Sequence, residues 1–464
     1  MNLKSILNNK VVKAGSWYTL TELFLKGLML LTIPIFTRLL TPADYGLVSL
    51  YITWVGIFTV LIGFNLNASI TRAKYEFKDS FNNYVSSVIF LSLIIFIIYF
   101  ILFITFKDFF LKVTGLSDLL FYFMVFQAYF AFIRLSLITK FRVEYKYKFI
   151  SLISIFIVTT GIILSIFLIL YVFESDKYIG KIIGDGILII IFGFFFLVYL
   201  LKQGKELVNL KYWKYALFFS TPLIIHSLSG IANGQFDRLV INHYFGESLT
   251  GIYSFAYNIG MIIAVIVNSM DQAWAPWVYE KLEENKYKDI KKRAKDYRDI
   301  FTIIYGGFLL LSPEIVRIMA DESYWEGLNL IPWIFLGYYF MFMYTMEVKV
   351  EIYHKKTSLL SLGTFLAGVI NIILNLIFVP LYGAIAAAIT TAISFLLLFI
   401  FHYLLTSRII KLKLFGLKFH LISILYVSII TSISIVFQDM ILIRIFGILV
   451  LLFLLYSKIK FKLK

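Results

Sequence analysis

The chain has 464 residues, of which 61% are hydrophobic and 15% charged, and a formal net charge of +16. Soluble domains carry roughly 25% charged residues, and the apolar runs here repeatedly reach the about 20 residues that a helix needs to cross a bilayer, so a soluble globular protein is excluded. With no cysteine, disulfides, thiolate metal sites and thiol catalysis are excluded as well, and the basic excess of a membrane chain is expected on cytoplasmic loops rather than on nucleic acid.

In chain order, apolar stretches bounded by charge or turn residues predict six membrane helices over 15–38, 45–70, 83–106, 119–139, 149–172 and 180–201. A polar stretch, Lys202–Lys214, follows. The pattern resumes over 215–236, 250–274, 300–319, 328–346, 358–379 and 382–405, and ends with 419–437 and 441–457. The expectation is an all-α polytopic membrane protein of fourteen helices. Glu22 and Lys26 interrupt the first apolar run and no small-residue cleavage site follows it, so the first helix reads as a retained span and not a signal peptide.

Alternate loops differ sharply in basic residues. With the N-terminus inside, inside segments carry 33 Lys and Arg and outside loops 7, while Lys26, Arg134 and Arg444 fall within spans. That bias predicts both termini in the cytoplasm. The longest charged segment, from Glu280 to Arg298, reads equally as a helix on an anionic leaflet or as a solvated loop helix.

The two halves show weak self-similarity at a nearly constant offset. Thr37-Arg38-Leu39-Leu40 recurs as Asp237-Arg238-Leu239-Val240, Gly46-Leu47-Val48-Ser49 as Gly251-Ile252-Tyr253-Ser254, and Glu144-x3-Lys148-x2-Ser151-x2-Ser154 as Glu351-x3-Lys355-x2-Ser358-x2-Ser361. An even number of crossings separates each pair, which makes the repeats parallel. The expected organisation is an N-terminal lobe over 1–201, an inter-lobe linker over 202–214, a C-terminal lobe over 215–406, and two additional helices over 407–464. Duplicated lobes suit a transporter that rocks about a central site. Pro34 and Pro222, in the opening helix of each lobe, are hinge candidates because each removes a backbone donor; proline is also ordinarily frequent in membrane helices.

An ionisable residue inside a span costs roughly 2.5–3.5 kcal/mol and is a functional candidate by default. Lys26 lies near the middle of the first helix with Glu22 four residues earlier on the same face, so the two are placed either to pair or to serve a ligand. Arg38 and Arg238 end the first and seventh helices as gate or anchor. Asp271, beside Asn268 and Gln272, is a candidate cation or proton group or an end cap, and Glu22 shares that candidacy. Glu347, Lys349 and Glu351 read as the onset of a loop. Asn371 and Asn375 share a helix face and are available to sugar hydroxyls or to other helices. No catalytic or metal-ligand constellation is read, and no GxxxxGK[ST] phosphate loop occurs.

The segment Pro34-Ile35-Phe36-Thr37-Arg38-Leu39-Leu40-Thr41-Pro42-Ala43-Asp44-Tyr45-Gly46-Leu47 resembles the opening of Wzx-type polysaccharide flippases of the multidrug/oligosaccharidyl-lipid/polysaccharide exporter superfamily. Phe236-Asp237-Arg238-Leu239 and Gly251-Ile252-Tyr253-Ser254 are similar to the corresponding turn of the second lobe. The resemblance implies a bacterial plasma-membrane flippase, without catalytic residues or bound cofactor, that moves an undecaprenyl-pyrophosphate-linked oligosaccharide outward by alternating access for O-antigen, capsule or exopolysaccharide synthesis. It further implies a basic cleft, for which Lys26, Arg38 and Arg238 with Asn371 and Asn375 are the candidates. Proton or sodium coupling falls to Glu22 and Asp271. Implied partners are the lipid-linked oligosaccharide, membrane lipids, and a polysaccharide polymerase with its chain-length regulator. Two rivals stand beside this reading: a cation-coupled drug exporter of the same superfamily, which a predominantly acidic cleft would favour, and a membrane polysaccharide polymerase, from which a sizeable external loop is expected.

Overall fold

The computed structural model describes residues 10–463; the N-terminal segment that opens the orientation count lies partly outside the described residues. Among the described residues every regular element is helical. In the first half these are α1 (Lys10–Leu39), α2 (Pro42–Gly63), α3 (Asn67–Glu76), α4 (Phe81–Thr105), α5 (Lys107–Thr114), α6 (Asp118–Val143), α7 (Tyr147–Tyr171) and α8 (Lys177–Lys202). The second half holds α9 (Leu210–Glu283), α10 (Tyr287–Leu310), α11 (Ser312–Met319), α12 (Ile331–Tyr353), α13 (Thr357–Leu404), α14 (Leu417–Val436) and α15 (Ile441–Leu463).

Nine of the described helices are long and apolar enough to cross a membrane, and eleven if each of two bent pairs is one span. Two of the nine are hairpins in disguise. Gly246 (φ 81°) splits α9 and Gly383 (φ 67°) splits α13, the backbone reversing at left-handed positions that a side chain would strain. A shorter apolar helix covers Ile441–Ser457. Counted that way, the elements are consistent with fourteen crossings.

Several boundaries differ from expectation for one reason: polar residues stay helical when the bundle satisfies them. The seventh helix runs through Asp237 and Arg238 to the break at Gly246 instead of ending at 236, and both side chains are buried. Likewise α12 continues to Tyr353, and Glu347, Lys349 and Glu351 are buried helix residues rather than a loop onset. The Glu280–Arg298 stretch forms no separate helix. It comprises the end of α9, a tight turn at Asn285 and the first half of α10. Conversely, the second span is interrupted, because Phe64 and Asn65 take positive φ between α2 and α3.

One turn recurs three times. Tyr145, Asn285 and Lys355 each adopt φ of 55–59° between consecutive helices, and the next residue, Lys146, Lys286 or Lys356, donates its amide to the carbonyl five residues back, as in a Schellman closure. Tyr145 and Lys355 connect equivalent helices of the two halves at a spacing of 210, so the motifs that begin at Glu144 and Glu351 are three residues out of structural register. The other match fares differently. A Cβ on Gly251 would lie 1.8 Å from the Pro42 carbonyl oxygen, and one on Gly46 would lie 2.0 Å from that of Glu247. The two matched glycines therefore pack reciprocally, each against the carbonyl four residues before the other.

By contacts the chain forms two compact units, one of Met1–Leu40 with Leu47–Ile231 and one of Thr41–Gly46 with Ala232–Lys464. The core of the first is strongly aromatic: Phe58 meets Phe103, Phe110 and Phe121, and Phe96 stacks on Tyr129 at 4.2 Å. In the second, Phe301, Tyr305, Tyr339 and Phe342 form a comparable cluster, with Phe301 and Phe342 stacked at 4.0 Å. Arg444 fixes α15 there by a two-pronged pair to Glu314, at 2.5 and 2.6 Å.

Candidate functional site

The most developed polar site lies in the second unit, beneath the two glycine breaks. Asp237 precedes Gly246 by nine residues and Tyr253 follows it by seven, so both sit about 10–14 Å along their helices from the reversal. Asn375 and Thr391 are each eight residues from Gly383, about 12 Å by the same rise. A Cβ on Gly383 would stand 3.9 Å from the Phe245 ring. The reversals are thus neighbours, and equal depth brings the four polar residues together.

Asp237 is 1% exposed and its carboxylate accepts from three neutral donors. Tyr253 Oη and Thr391 Oγ1 donate to Oδ2, the latter at 2.9 Å, and Asn375 Nδ2 donates to Oδ1 at 2.8 Å. Behind them Asn371 Nδ2 donates to Thr391 Oγ1 at 3.0 Å and Thr390 Oγ1 to Asn375 Oδ1 at 3.1 Å. Arg238 turns elsewhere. Its Nε donates to Ser254 Oγ at 3.1 Å, its Nη1 to the Gly234 carbonyl at 3.3 Å, and its guanidinium lies 5.2 Å from the Tyr257 ring centre.

A buried carboxylate held by hydroxyls and amides is chemically versatile. Rotation of the hydroxyls and of the Asn375 amide would turn these donors into oxygen ligands, and the O/N orientation of such an amide is an assignment made from the network. A single carboxylate among neutral oxygens matches a proton or a monovalent cation better than a divalent ion, whose sites use several carboxylates. Among the described residues no group of three or more His, Asp or Glu is placed to hold a metal ion.

The other candidates are distributed as follows. Lys26 Nζ pairs with Glu22 Oε1 at 2.7 Å, with side chains 29% and 56% exposed, so the i,i+4 partnership forms. Asp271 Oδ2 accepts from Lys349 Nζ at 2.7 Å, joining the second arm of α9 to α12. Arg38 is exposed in the last turn of α1, and its Nη1 donates to the Pro34 carbonyl at 2.8 Å. Asn371 and Asn375 are wholly buried and spend their amides on Asp237 and Thr391 rather than on any open surface. Pro34 and Pro222 both lie inside continuous helix.

Three groupings escaped the sequence reading. Thr390 and Thr391, in the Ala-rich run GAIAAAITTAIS, were findable as adjacent hydroxyls in an otherwise apolar span. Glu347 meets His420 Nε2 at 2.8 Å and also accepts from Thr406, while Glu351 meets His402 Nδ1 at 2.7 Å, and all these groups are buried. In the first unit, Lys181 pairs with Asp185 at 2.7 Å, Ser165 donates to the same carboxylate at 2.9 Å, and the ammonium lies 3.7 Å from the Phe36 ring centre. Gly184 permits that approach, since a Cβ there would meet Ser165 at 2.4 Å.

Comparison with known proteins places the fold. Residues 11–280 match the family model described as "Polysaccharide biosynthesis protein". The chain is similar to Lsg locus putative protein 1 of Haemophilus influenzae, 24% identical over 389 residues that cover 78% of this chain and 90% of that one. It is also similar to the capsular polysaccharide biosynthesis protein CapF of Staphylococcus aureus, 24% identical over 43% of this chain and 52% of the relative. Among solved structures it resembles the lipid II flippase MurJ in an inward closed conformation, with a TM-score of 0.71 at 18% identity, covering 95% of this chain and 99% of that one. An inward-facing multidrug transporter of the MATE family follows with a TM-score of 0.60 at 14% identity, covering 88% and 96%.

Proposed function

The chain belongs to the polysaccharide biosynthesis protein family, and on that premise we propose that it is a flippase that carries an undecaprenyl-pyrophosphate-linked oligosaccharide from the cytoplasmic to the outer leaflet of a bacterial plasma membrane. The observation that carries the reading is the fold shared with a lipid flippase over 95% of the chain. Physically, a sugar-pyrophosphate headgroup cannot enter hydrocarbon without losing the water that solvates its charge and hydroxyls. A hydrated protein path removes that cost while the lipid tail stays in the bilayer, and no covalent step is needed.

Within this proposal the exposed Arg38 and half-buried Lys26 are assigned to the pyrophosphate. Arg238, committed to Ser254 and Gly234, is assigned to holding the two arms of α9. Coupling is assigned to Asp237 in place of Glu22 and Asp271, because those two acids already face lysines at 2.7 Å whereas Asp237 is met by reorientable neutral donors. Sodium there would exchange three hydrogen bonds for oxygen–ion contacts, whereas a proton would turn one acceptor oxygen into a donor and leave the other accepting. The product on the outer leaflet would pass to a polymerase and its chain-length regulator, with both termini of this chain in the cytoplasm.

Deletion of the gene followed by localisation of lipid-linked repeat units tests the reading. Accumulation on the cytoplasmic face is the expected result. Unchanged glycolipids accompanied by greater sensitivity to cationic drugs would overturn it in favour of a drug exporter, the activity of the MATE-family relative of this fold.

A further inference from the structure

The hairpin between α6 and α7 carries a groove of about 740 Å³ in the first unit, lined by Phe141, Tyr145, Lys146, Tyr147, Lys148 and Tyr199 among others. That volume falls in the range of about 300–1,000 Å³ typical of small-molecule sites. With 26 residues, α6 is about 39 Å long, which spans the hydrocarbon core of about 30 Å and sets the hairpin at headgroup level. We propose that this groove binds an anionic glycerophospholipid, one acyl chain lying against its aromatic wall and the phosphate on Lys146 and Lys148.

Charge complementarity selects the headgroup. Lys140, Arg142, Lys146 and Lys148 surround a single acid, Glu144. Lys140 and Lys146 both pair with that carboxylate, Lys146 at 2.8 Å, while Lys148 and Arg142 are exposed. Net positive charge therefore remains where the groove opens. Lys146 is itself 48% exposed and its Nζ lies 4.7 Å from the Phe141 ring centre. The Glu144 carboxylate, accepting from Lys146, holds that ammonium above the usual lysine range, so it stays charged.

Backbone geometry also fixes where the aromatic lining lies. The three equivalent turns place Tyr145, Asn285 and Lys355 in the left-handed region. Asparagine is the economical choice there, whereas a bulky residue at positive φ is strained. Tyr145 accepts that strain and remains 46% exposed beside the groove, with Phe149 49% exposed on the next helix. Aromatic rings at this depth suit the boundary between headgroup and acyl chain. The site is independent of the transport reading.

Native mass spectrometry of the full chain released from detergent micelles, supplied with phosphatidylglycerol or phosphatidylcholine of identical acyl chains, tests the proposal. Preferential retention of phosphatidylglycerol is expected. Lys148→Glu, at an exposed position outside the described ion pairs, should reduce that retention about tenfold (~1.4 kcal/mol) and leave phosphatidylcholine and the melting temperature unchanged. Tyr145→Asn, which suits the same turn, should lower retention of both lipids. Equal retention of the two lipids would overturn the proposal, as would a preference that survives Lys146→Ala combined with Lys148→Glu. Retention of polyprenyl phosphate with phosphatidylglycerol excluded would overturn it too, and would assign the groove to a carrier lipid instead.

Discussion

The ionic groups of the two units are organised differently. In the first unit, Glu22–Lys26, Lys140–Glu144 and Lys181–Asp185 are pairs four residues apart on one helix or its cap, while Lys107–Asp118, between α5 and α6, is exposed. The second has local pairs as well, Lys281–Glu284 and Arg298–Asp299 among them, but Asp271–Lys349, Glu347–His420, Glu351–His402 and Glu314–Arg444 each join different helices, and the Asp237 network joins four helical arms. A pair within one helix neutralises charge without constraining a neighbour. A pair across helices makes the position of one segment depend on the protonation or occupancy of another. A coupling role of the kind proposed above would therefore fall to the second unit.

The comparison can be broken most decisively at Asp237. Asp237→Asn preserves the shape of the network and removes its charge, so translocation of lipid-linked sugar in proteoliposomes should fall to background while the melting temperature holds or rises. Full translocation by this variant would refute a coupling role. Next in size is Glu347→Ala, which strands His420 and Thr406 in the interior; breaking a buried pair costs about 3–5 kcal/mol, to be read as lost thermal stability in detergent. Gly251→Ala should cost about 1–3 kcal/mol through overpacking against the Pro42 carbonyl, visible in the same melting assay, with Gly230→Ala as the control because a Cβ there meets nothing within 4 Å. Smallest is Glu22→Gln, where a half-exposed pair on one helix is worth about 0.3–0.5 kcal/mol. A loss near that for Glu347→Ala would show that the first unit, too, depends on its local pair.

The same contrast explains what was legible in the sequence. Spans, repeat and family motif could be read because each is written in contiguous residues, and the Glu22–Lys26 pair because its partners are one turn apart. The Asp237 site could not be assembled that way. Its donors come from positions 16, 138 and 154 residues further along, and only the reversals at Gly246 and Gly383 set them at one depth. Charge itself misled at two places: Asp237-Arg238 and Glu347-x-Lys349-x-Glu351 look like helix ends until partners from distant helices are in view. His402 and His420 carried no local signal, since each faces an acid 51 or 73 residues away.

The thrice-used turn governs where the polypeptide tolerates added length. A helix advances about 100° per residue, so one residue inserted at Tyr145, Asn285 or Lys355 would rotate the entire following span and turn its lipid-facing stripe toward the bundle. Beyond the amides of Gly204 and Lys205, which are tied to Ser86 and Asn83, the irregular stretch over 206–208 has no such phase to keep. Epitope tags and fluorescent reporters should accordingly be accepted at that stretch and rejected at the three hairpins.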